Sequence, residues 1–356
     1  MFIVDLLAIS PQDTYHDPDY LKNIRRHSGN KYWAVEPNYL DIIKPSQLRR
    51  MGKALRMGLG CGVPLLKKYG QVDGIIIGTS EGGLEGCINF LNQIVDYDEG
   101  TLTPTNFIQS TPNAVSGHLA LITGNTNYNI THVNQGLAFE DALIDAFMLF
   151  AEGKTSKVLV GNVEEISDYN YNINWSAGQY KKDPCDSDQL LRSGTEGAVA
   201  GEGSVMFILD NGPQAGGIQI KDVATTTLPD LHELKTMCLA FLKGNGLTPG
   251  MVDGLIVGMN GDSRTDTWYD QVMDQVFPGA SVFSYKQLTG EYPTSSAFAV
   301  KLGHDLMCGN SIPSEIMVRD QNRELGHVLI YNHYNGIQHS FILLSKVVSV
   351  RHDPSP

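Results

Sequence analysis

Short apolar runs bounded by turn residues alternate along this chain with segments whose apolar positions recur every three to four residues. That alternation of strand and helix patterns predicts an α/β fold built on central sheets. The opening MFIVDLLAIS reads as a first strand. Residues 48–69 carry a helical pattern with basic positions and end in Gly70, and residues 73–79 (DGIIIGT) then read as a buried strand. Residues 127–133 form a further strand, Asn134-Gln135-Gly136 a tight turn, and residues 137–152 a helix closed by Gly153. KVLVG at 157–161 is the next buried strand. Residues 167–189 are polar and irregular and read as a surface excursion, and residues 194–210 return as a glycine-rich hairpin. Two β-rich runs, 327–331 and 339–350, flank Asn335-Gly336, a tight-turn signal.

One pattern repeats. DGIIIGT at 73–79 recurs as DGLIVGM at 253–259, each copy preceded by an apolar-periodic segment, residues 48–69 in the first case and 231–243 in the second. Two copies of helix, turn and buried strand at half-length spacing predict a duplicated fold of two layered α/β halves. The turn Asn211-Gly212-Pro213 marks their boundary, giving an N-terminal half at 1–212 and a C-terminal half at 213–356.

Composition narrows the function classes. With 26 Lys and Arg against 39 Asp and Glu, the net charge is −13, a poor match for a phosphate backbone or an anionic membrane surface. Charged residues are 18% and apolar residues 42%, which describes a large core and excludes disorder and coiled coil. No apolar run approaches the ~20 residues of a membrane helix, and the N-terminus lacks a basic leader region, so a cytoplasmic protein is expected. Five cysteines form no CxxC pair and an odd count, so free thiols are expected rather than a disulfide framework. No His/Cys cluster has zinc spacing; neither metal nor cofactor is expected.

The turn 134–136, a strand delivering the chain to a helix N-terminus, is a favourable place for a nucleophile, because free amides and the helix dipole stabilise a thiolate and an oxyanion. Here it offers no Cys or Ser. The duplicated halves, this elbow and several short motifs resemble the β-ketoacyl synthases of the thiolase fold over nearly the whole chain. Thr103-Pro104 through Ser110-Thr111-Pro112-Asn113 to Gly117-His118-Leu119 is similar to the family's P-x-x-x-P-S-T-x-x-N-x-x-x-G-H-L stretch. Gly197 to Gly203 is similar to its G-x-V-x-G-E-G segment, and Lys286-Gln287-Leu288-Thr289-Gly290 to its K-S-x-x-G segment. The resemblance implies a thiolase-like five-layered αβαβα fold of two similar halves, working as a dimer that pairs through the strand before the elbow.

The family's chemistry uses a Cys to carry the acyl chain and two His residues to drive decarboxylation and hold the enolate oxygen. By the same resemblance, the cysteine position falls on Gly136, or on Gln135 with one insertion, the first histidine on Asn260 and the second on Glu291, while Lys286 is kept. The family's closing turn with its gating Phe has become residues 332–336, which include Tyr334 and Asn335. This pattern resembles the chain length factors, subunits with Gln for Cys that pair with an active synthase and share a wall of its acyl tunnel. It implies a non-catalytic subunit with an active synthase as partner, or a second copy of itself, and acyl carrier protein reaching the complex through that partner. Phe90, Phe107, Ile108, Tyr334 and Asn335 are the implied acyl-pocket residues. Alternatives are a malonyl decarboxylase acting through Gln135 and an acyltransferase using Cys87, which follows Gly82-Gly83 at a helix start. His118 reads as a satisfied structural histidine, His304 and Cys308 at i, i+4 as a core helix packing a thiol. GTSEGG at 78–83 lacks the P-loop Lys and carries Glu81, which argues against a nucleotide site.

Overall fold

The computed structural model describes residues 1–347 apart from 101, 103 and 213–215. Thr103 of the first motif, Pro213 at the expected boundary and positions 348–350 of the closing run lie outside the described residues. The strands are β1 (Phe2–Ile9), β2 (Lys31–Tyr32), β3 (Gly74–Gly78), β4 (Tyr128–His132), β5 (Lys157–Glu164), β6 (Ala200–Gly201) and β7 (Gly203–Asp210), followed by β8 (Ile218–Thr227), β9 (Gly254–Val257), β10 (Ser281–Ser284), β11 (Met317–Arg319), β12 (His327–Tyr334) and β13 (Gln338–Lys346). The helices are α1 (Pro45–Leu48), α2 (Lys53–Tyr69), α3 (Leu84–Asp96), α4 (Pro104–Gln109), α5 (Ala114–Thr123) and α6 (Ala138–Ala151), then α7 (Asp168–Ser176), α8 (Leu231–Gly244), α9 (Thr267–Gln275), α10 (Lys286–Thr289) and α11 (Ser296–Met307).

Strand order is β11-β10-β9-β12-β13-β8-β1-β7-β5-β3-β4. The run β1-β7-β5-β3-β4 and the run β8-β13-β12-β9-β10 share one topology: two antiparallel pairings followed by two parallel ones. The runs join at a single residue pair, Phe2 with Gln219. The echoed strands β3 and β9 hold equivalent places, and α2 and α8 precede them.

Side-chain alternation explains why these echoed strands are apolar without interruption. Ile75 and Ile77 face a core shared with α2 and α5, whereas Ile76 faces a core containing α6 and α11. In β9, Ile256 faces α6 and α11 while Leu255 and Val257 pack with α8 and α9. A strand covered by helices on both faces has no position where a polar side chain meets water. The layers are therefore α2 and α5, first sheet, α6 and α11, second sheet, α8 and α9. This is the five-layered thiolase arrangement.

Two sequence expectations need correction. Residues 194–210 do not form a hairpin: β6 pairs in parallel with β2, and β7 lies between β1 and β5. The glycines serve close approach instead, since a Cβ on Gly201 would lie 2.0 Å from the Thr289 carbonyl oxygen. Residues 167–189 contain α7, started by a capping box in which Ser167 and Asn170 exchange side-chain and backbone hydrogen bonds. Its Asn- and Tyr-rich face, lacking buried residues, hides the helical period. The strand β4 is an edge; Tyr128 in it and Val133 just after it are exposed, as are Phe107 and Ile108 on α4.

Candidate functional site

The residues singled out by sequence converge at the C-terminal ends of β4, β9, β10 and β12, where open α/β sheets place their ligands. Beyond β4 the chain turns through Gln135, whose φ of 46° is left-handed, and enters α6. Gln135 is exposed and Gly136 is buried. A Cβ added to Gly136 would lie 2.2 Å from Tyr334 Cβ, 2.8 Å from Tyr334 Cγ and 3.2 Å from Gln338 Oε1. The space a side chain at this elbow would need is taken by the end of β12. The elbow amide is engaged as well. Gly136 N–H donates to Gln338 Oε1 at 2.9 Å, while Gln338 Nε2 donates to Asn134 Oδ1 at 3.2 Å. An amide at this place is the donor an acyl-transfer site turns toward an oxyanion; here a side chain already accepts from it.

The hairpin chemistry places these two residues. Asn335 (φ 56°) and Gly336 (φ 65°) take the left-handed conformations of a tight turn, and Tyr334 then pairs with Gln338 across the ladder. Tyr334 is half-buried against the elbow and Asn335 is exposed at the tip. Gln338 is the residue that sequence reasoning missed. The turn signal at 335–336 sets it opposite Tyr334, but nothing local says that both meet a glycine some two hundred positions earlier.

The second half supplies a buried polar cluster. Lys286 Nζ and Asn260 Nδ2 each donate to Glu291 Oε2 at 2.6 Å. Lys286 is fully buried, and Glu291 and Asn260 are each 7% exposed or less. Glu291 is fixed by its backbone, its N–H donating to Val199 O at 2.7 Å while Gly201 N–H donates to Glu291 O at 2.9 Å. Thus Gly201 and Gly290 touch so that the carboxylate can reach Lys286. Asp266 accepts from Asn260 N–H at 3.1 Å and Gly261 N–H at 2.8 Å, which closes the loop after β9. Burial pushes the Asp266 carboxyl up to about 6, against those two hydrogen bonds and the Lys286 charge.

Tyr334 and Asn335 line a cavity of about 10 Å³ together with Asn260 and Glu291. That is room for at most one water. Glu291 Oε1 has no hydrogen-bond partner among the described residues. Nearby, Glu164 accepts from Thr294 Oγ1 at 3.2 Å, and burial raises it to about 8. The structure therefore brings together Gly136, Tyr334, Asn335, Asn260, Glu291 and Lys286. Phe90, Phe107 and Ile108 are not among the residues lining that cavity; they lie on α3 and α4, where the Phe90 and Phe107 rings meet tilted at 57°, 5.5 Å between centroids. Cys87 is half-buried in the first turns of α3, and its thiol makes no hydrogen bond among the described residues. His118 Nδ1–H donates to Ala114 O, one turn earlier, at 2.7 Å. Glu81 of the GTSEGG segment accepts from Asn170 Nδ2 at 3.1 Å. Among the described residues no group of three His, Cys, Asp or Glu has metal-binding geometry, and no helix is long and apolar enough to cross a membrane.

A thiolase-like duplicated fold whose elbow and opposing loops carry this motif order defines a ketosynthase-type protein. Residues 25–199 match the family model of the beta-ketoacyl synthase N-terminal domain, and that stretch is similar to beta-ketoacyl synthases. A comparison with curated proteins gives no match. Among solved structures, the complex of the ketosynthase ApeO with its chain length factor ApeC from Xenorhabdus doucetiae is similar over 97% of this chain and 98% of that one, at 16% identity and a TM-score of 0.75. The ishigamide ketosynthase/chain length factor is similar over 97% and 99%, at 17% identity and a TM-score of 0.75. A beta-ketoacyl synthase from Burkholderia phymatum is similar over 98% and 100%, at 14% identity and a TM-score of 0.78. At these identities the likeness speaks to fold.

Proposed function

We propose that this chain is a non-catalytic beta-ketoacyl synthase-like subunit of the chain length factor type. It pairs with an active ketosynthase and shapes that partner's acyl tunnel in biosynthesis of the fatty-acid, polyketide or aryl-polyene kind. The observation that carries the reading is the filled elbow: Tyr334 against Gly136, with the elbow N–H given to Gln338. Beside it, a Lys286–Glu291–Asn260 cluster stands where the family's reaction needs two imidazoles. A thioester needs a nucleophile, an oxyanion donor and a base; these positions carry no thiol or hydroxyl, the Gly136 amide and Asn260 Nδ2 already donate within the protein, and the Glu291 carboxylate is paired with Lys286. The likeness to two solved ketosynthase–chain length factor pairs supports the same reading. So does the charge of −13, which leaves an acidic carrier protein to dock on the partner subunit. Phe90, Phe107 and Ile108, on α3 and α4, would then face the partner rather than a pocket of this chain. The halves 1–212 and 213–356 would each contribute one wall of the degenerate site.

The test uses the purified chain alone with acyl- and malonyl-loaded carrier protein, followed by mass spectrometry for acyl-enzyme, condensation product and CO₂. No adduct and no CO₂ are expected. A covalent acyl adduct on Cys87, or CO₂ release lost on Gln135→Ala, would establish the enzyme alternatives instead. Co-expression with an active synthase should give a stable heterodimer whose product length changes on Phe107→Ala; a synthase that neither co-purifies nor changes product length overturns the tunnel-shaping role.

A further inference from the structure

The helix α11 starts five residues after Glu291 and runs twelve residues, about 18 Å, away from the elbow. Its far end carries Cys308, the exposed one among five free cysteines. Cys308 Sγ lies 3.7 Å from His304 Nε2, and His304 Nδ1 lies 3.4 Å from Asp305 Oδ1. The other Asp305 oxygen accepts from Lys301 Nζ at 2.5 Å and Tyr20 OH at 3.2 Å. Thiol, imidazole and anchored carboxylate thus form a chain. They line a cleft of about 430 Å³ with Thr14, Tyr15 and Asp19, within the size range of small-molecule sites.

The electrostatics favour a cation at His304. Burial opposes a charge on His304, but hydrogen bonds to Asp305 and Cys308 outweigh it and hold the imidazole up at about 9. The end of α11 also favours a cation in its last turn. That same dipole opposes an anion on Cys308, so the His304 charge is what offsets it. The groups facing the pair are Lys301 and Asp305 from α11, Tyr20 and Asp19 from the loop after β1, and Tyr15 across the cleft. Three of the other thiols are poorly placed: burial pushes Cys61 and Cys238 up to about 12 and raises Cys185 as well; Cys87 has no imidazole hydrogen-bonded to it among the described residues.

We propose that Cys308, with His304 as its acid–base partner, is a thiol–disulfide exchange site that takes a small polar disulfide into this cleft. His304 Nε2 holds the proton given up by the thiol. Cys308 Sγ attacks one sulfur of the ligand, the ligand's S–S bond breaks, and a protein–S–S–R bond forms. The leaving thiolate takes the proton from His304, and the disulfide is itself the oxidant. The site is independent of the elbow and of the subunit role proposed above.

The experiment exposes the full-length chain to oxidised glutathione at neutral pH and follows each cysteine by peptide mass spectrometry. One mixed disulfide is expected, on Cys308, forming at least about tenfold faster than any at Cys87 or Cys185. His304→Gln should slow that adduct about tenfold in protein that circular dichroism shows to be folded, and Cys308→Ser should remove it. Equal or faster modification of Cys87 or Cys185 overturns the proposal, as does an undiminished rate in His304→Gln. Should His304→Gln fold poorly, His304→Lys restores the cation: it should retain most of the wild-type rate, and a collapse of the rate in that folded variant overturns the role of charge.

Discussion

Gly136→Ala isolates the contact on which the functional reading rests. Gly136 does not adopt a left-handed φ, so alanine is allowed by the backbone and the cost is one of space. The new Cβ would meet Tyr334 Cβ at 2.2 Å, more than 1 Å inside ordinary contact. Because the obstructing atom is itself a Cβ, no rotamer change of Tyr334 relieves it; the end of β12 must shift. Overpacking of this kind costs about 3 kcal/mol, less up to about 1 kcal/mol regained from the stiffer unfolded chain. A net loss of about 2–3 kcal/mol follows. At about 0.75 kcal/mol/K for a chain of 356 residues, the melting temperature should fall about 3–4 °C. The assay is urea unfolding followed by circular dichroism, in a double-mutant cycle with two substitutions at 334. Tyr334→Ala keeps the Cβ and should leave most of the Gly136→Ala cost in place. Tyr334→Gly removes it and should show a coupling of about 2 kcal/mol. If Gly136→Ala costs less than about 0.5 kcal/mol, or if alanine at 334 rescues as fully as glycine, the elbow is not closed by Tyr334 and the argument from a filled site fails.

Further outcomes follow from the same geometry. Lys286→Met leaves Glu291 buried without its cation and should cost about 3–5 kcal/mol, most of it recovered on adding Glu291→Gln; additive effects in denaturant titrations would deny the ion pair. Gly136→Cys combined with Tyr334→Gly should fold yet take up no acyl group from an acyl carrier protein, since Asn260 and Glu291 cannot supply imidazoles and Gln338 holds the elbow amide; an acyl adduct by mass spectrometry would refute this. Stability should fall as pH rises from 6.5 to 8. Burial raises Glu140 to about 7 and Glu164 to about 8 from an ordinary 4.5, so the native state holds protons that the unfolded state has released. The His304 proton, held to about 9, adds the same sign across this window, whereas His27 and His339, lowered to about 4 by burial, act in the opposite direction with an effect that fades as pH rises above 6.5. Each carboxyl contributes up to about 1.4 kcal/mol per pH unit, so Glu140→Gln should flatten the slope of urea midpoint against pH; an unchanged slope sinks the assignment.

Much of the architecture was legible because it depends on local pattern. A strand buried on both faces must be apolar at every position, so the 73–79 and 253–259 runs announced β3 and β9 and their equivalence. The Asn335-Gly336 turn and Gly153 helix stop rest on left-handed backbone that few other residues adopt, and both were read from sequence. What was missed lacked such a signal. The helix α7 buries no stripe, so its period is invisible until its capping box is seen. Glycines at 197–203 look like hairpin turns, yet they serve close approach: Gly201 to 289–290 from the other half of the chain, Gly197 to the Tyr180 backbone and Gly203 to Ile9. The pair His304 and Cys308 was placed on one face correctly, but the expectation of a packed core thiol fails, because the last turn of α11 emerges beside a cleft.

The sequence by itself determined which residues stand at the positions compared with the family's reactive ones: a glycine, an asparagine, a glutamate and a lysine, with no thiol or imidazole among them. Residue identity limits the chemistry open to a position, and that needs no coordinates. Only the tertiary structure decided what occupies the room those residues leave. Gly136 meets Tyr334 and Gln338 across some two hundred positions, and Glu291 reaches Lys286 because Gly201 and Gly290 let two backbones touch. Such contacts join residues with no local relation, so their outcome, a closed elbow rather than an open pocket, is a property of packing and not of pattern.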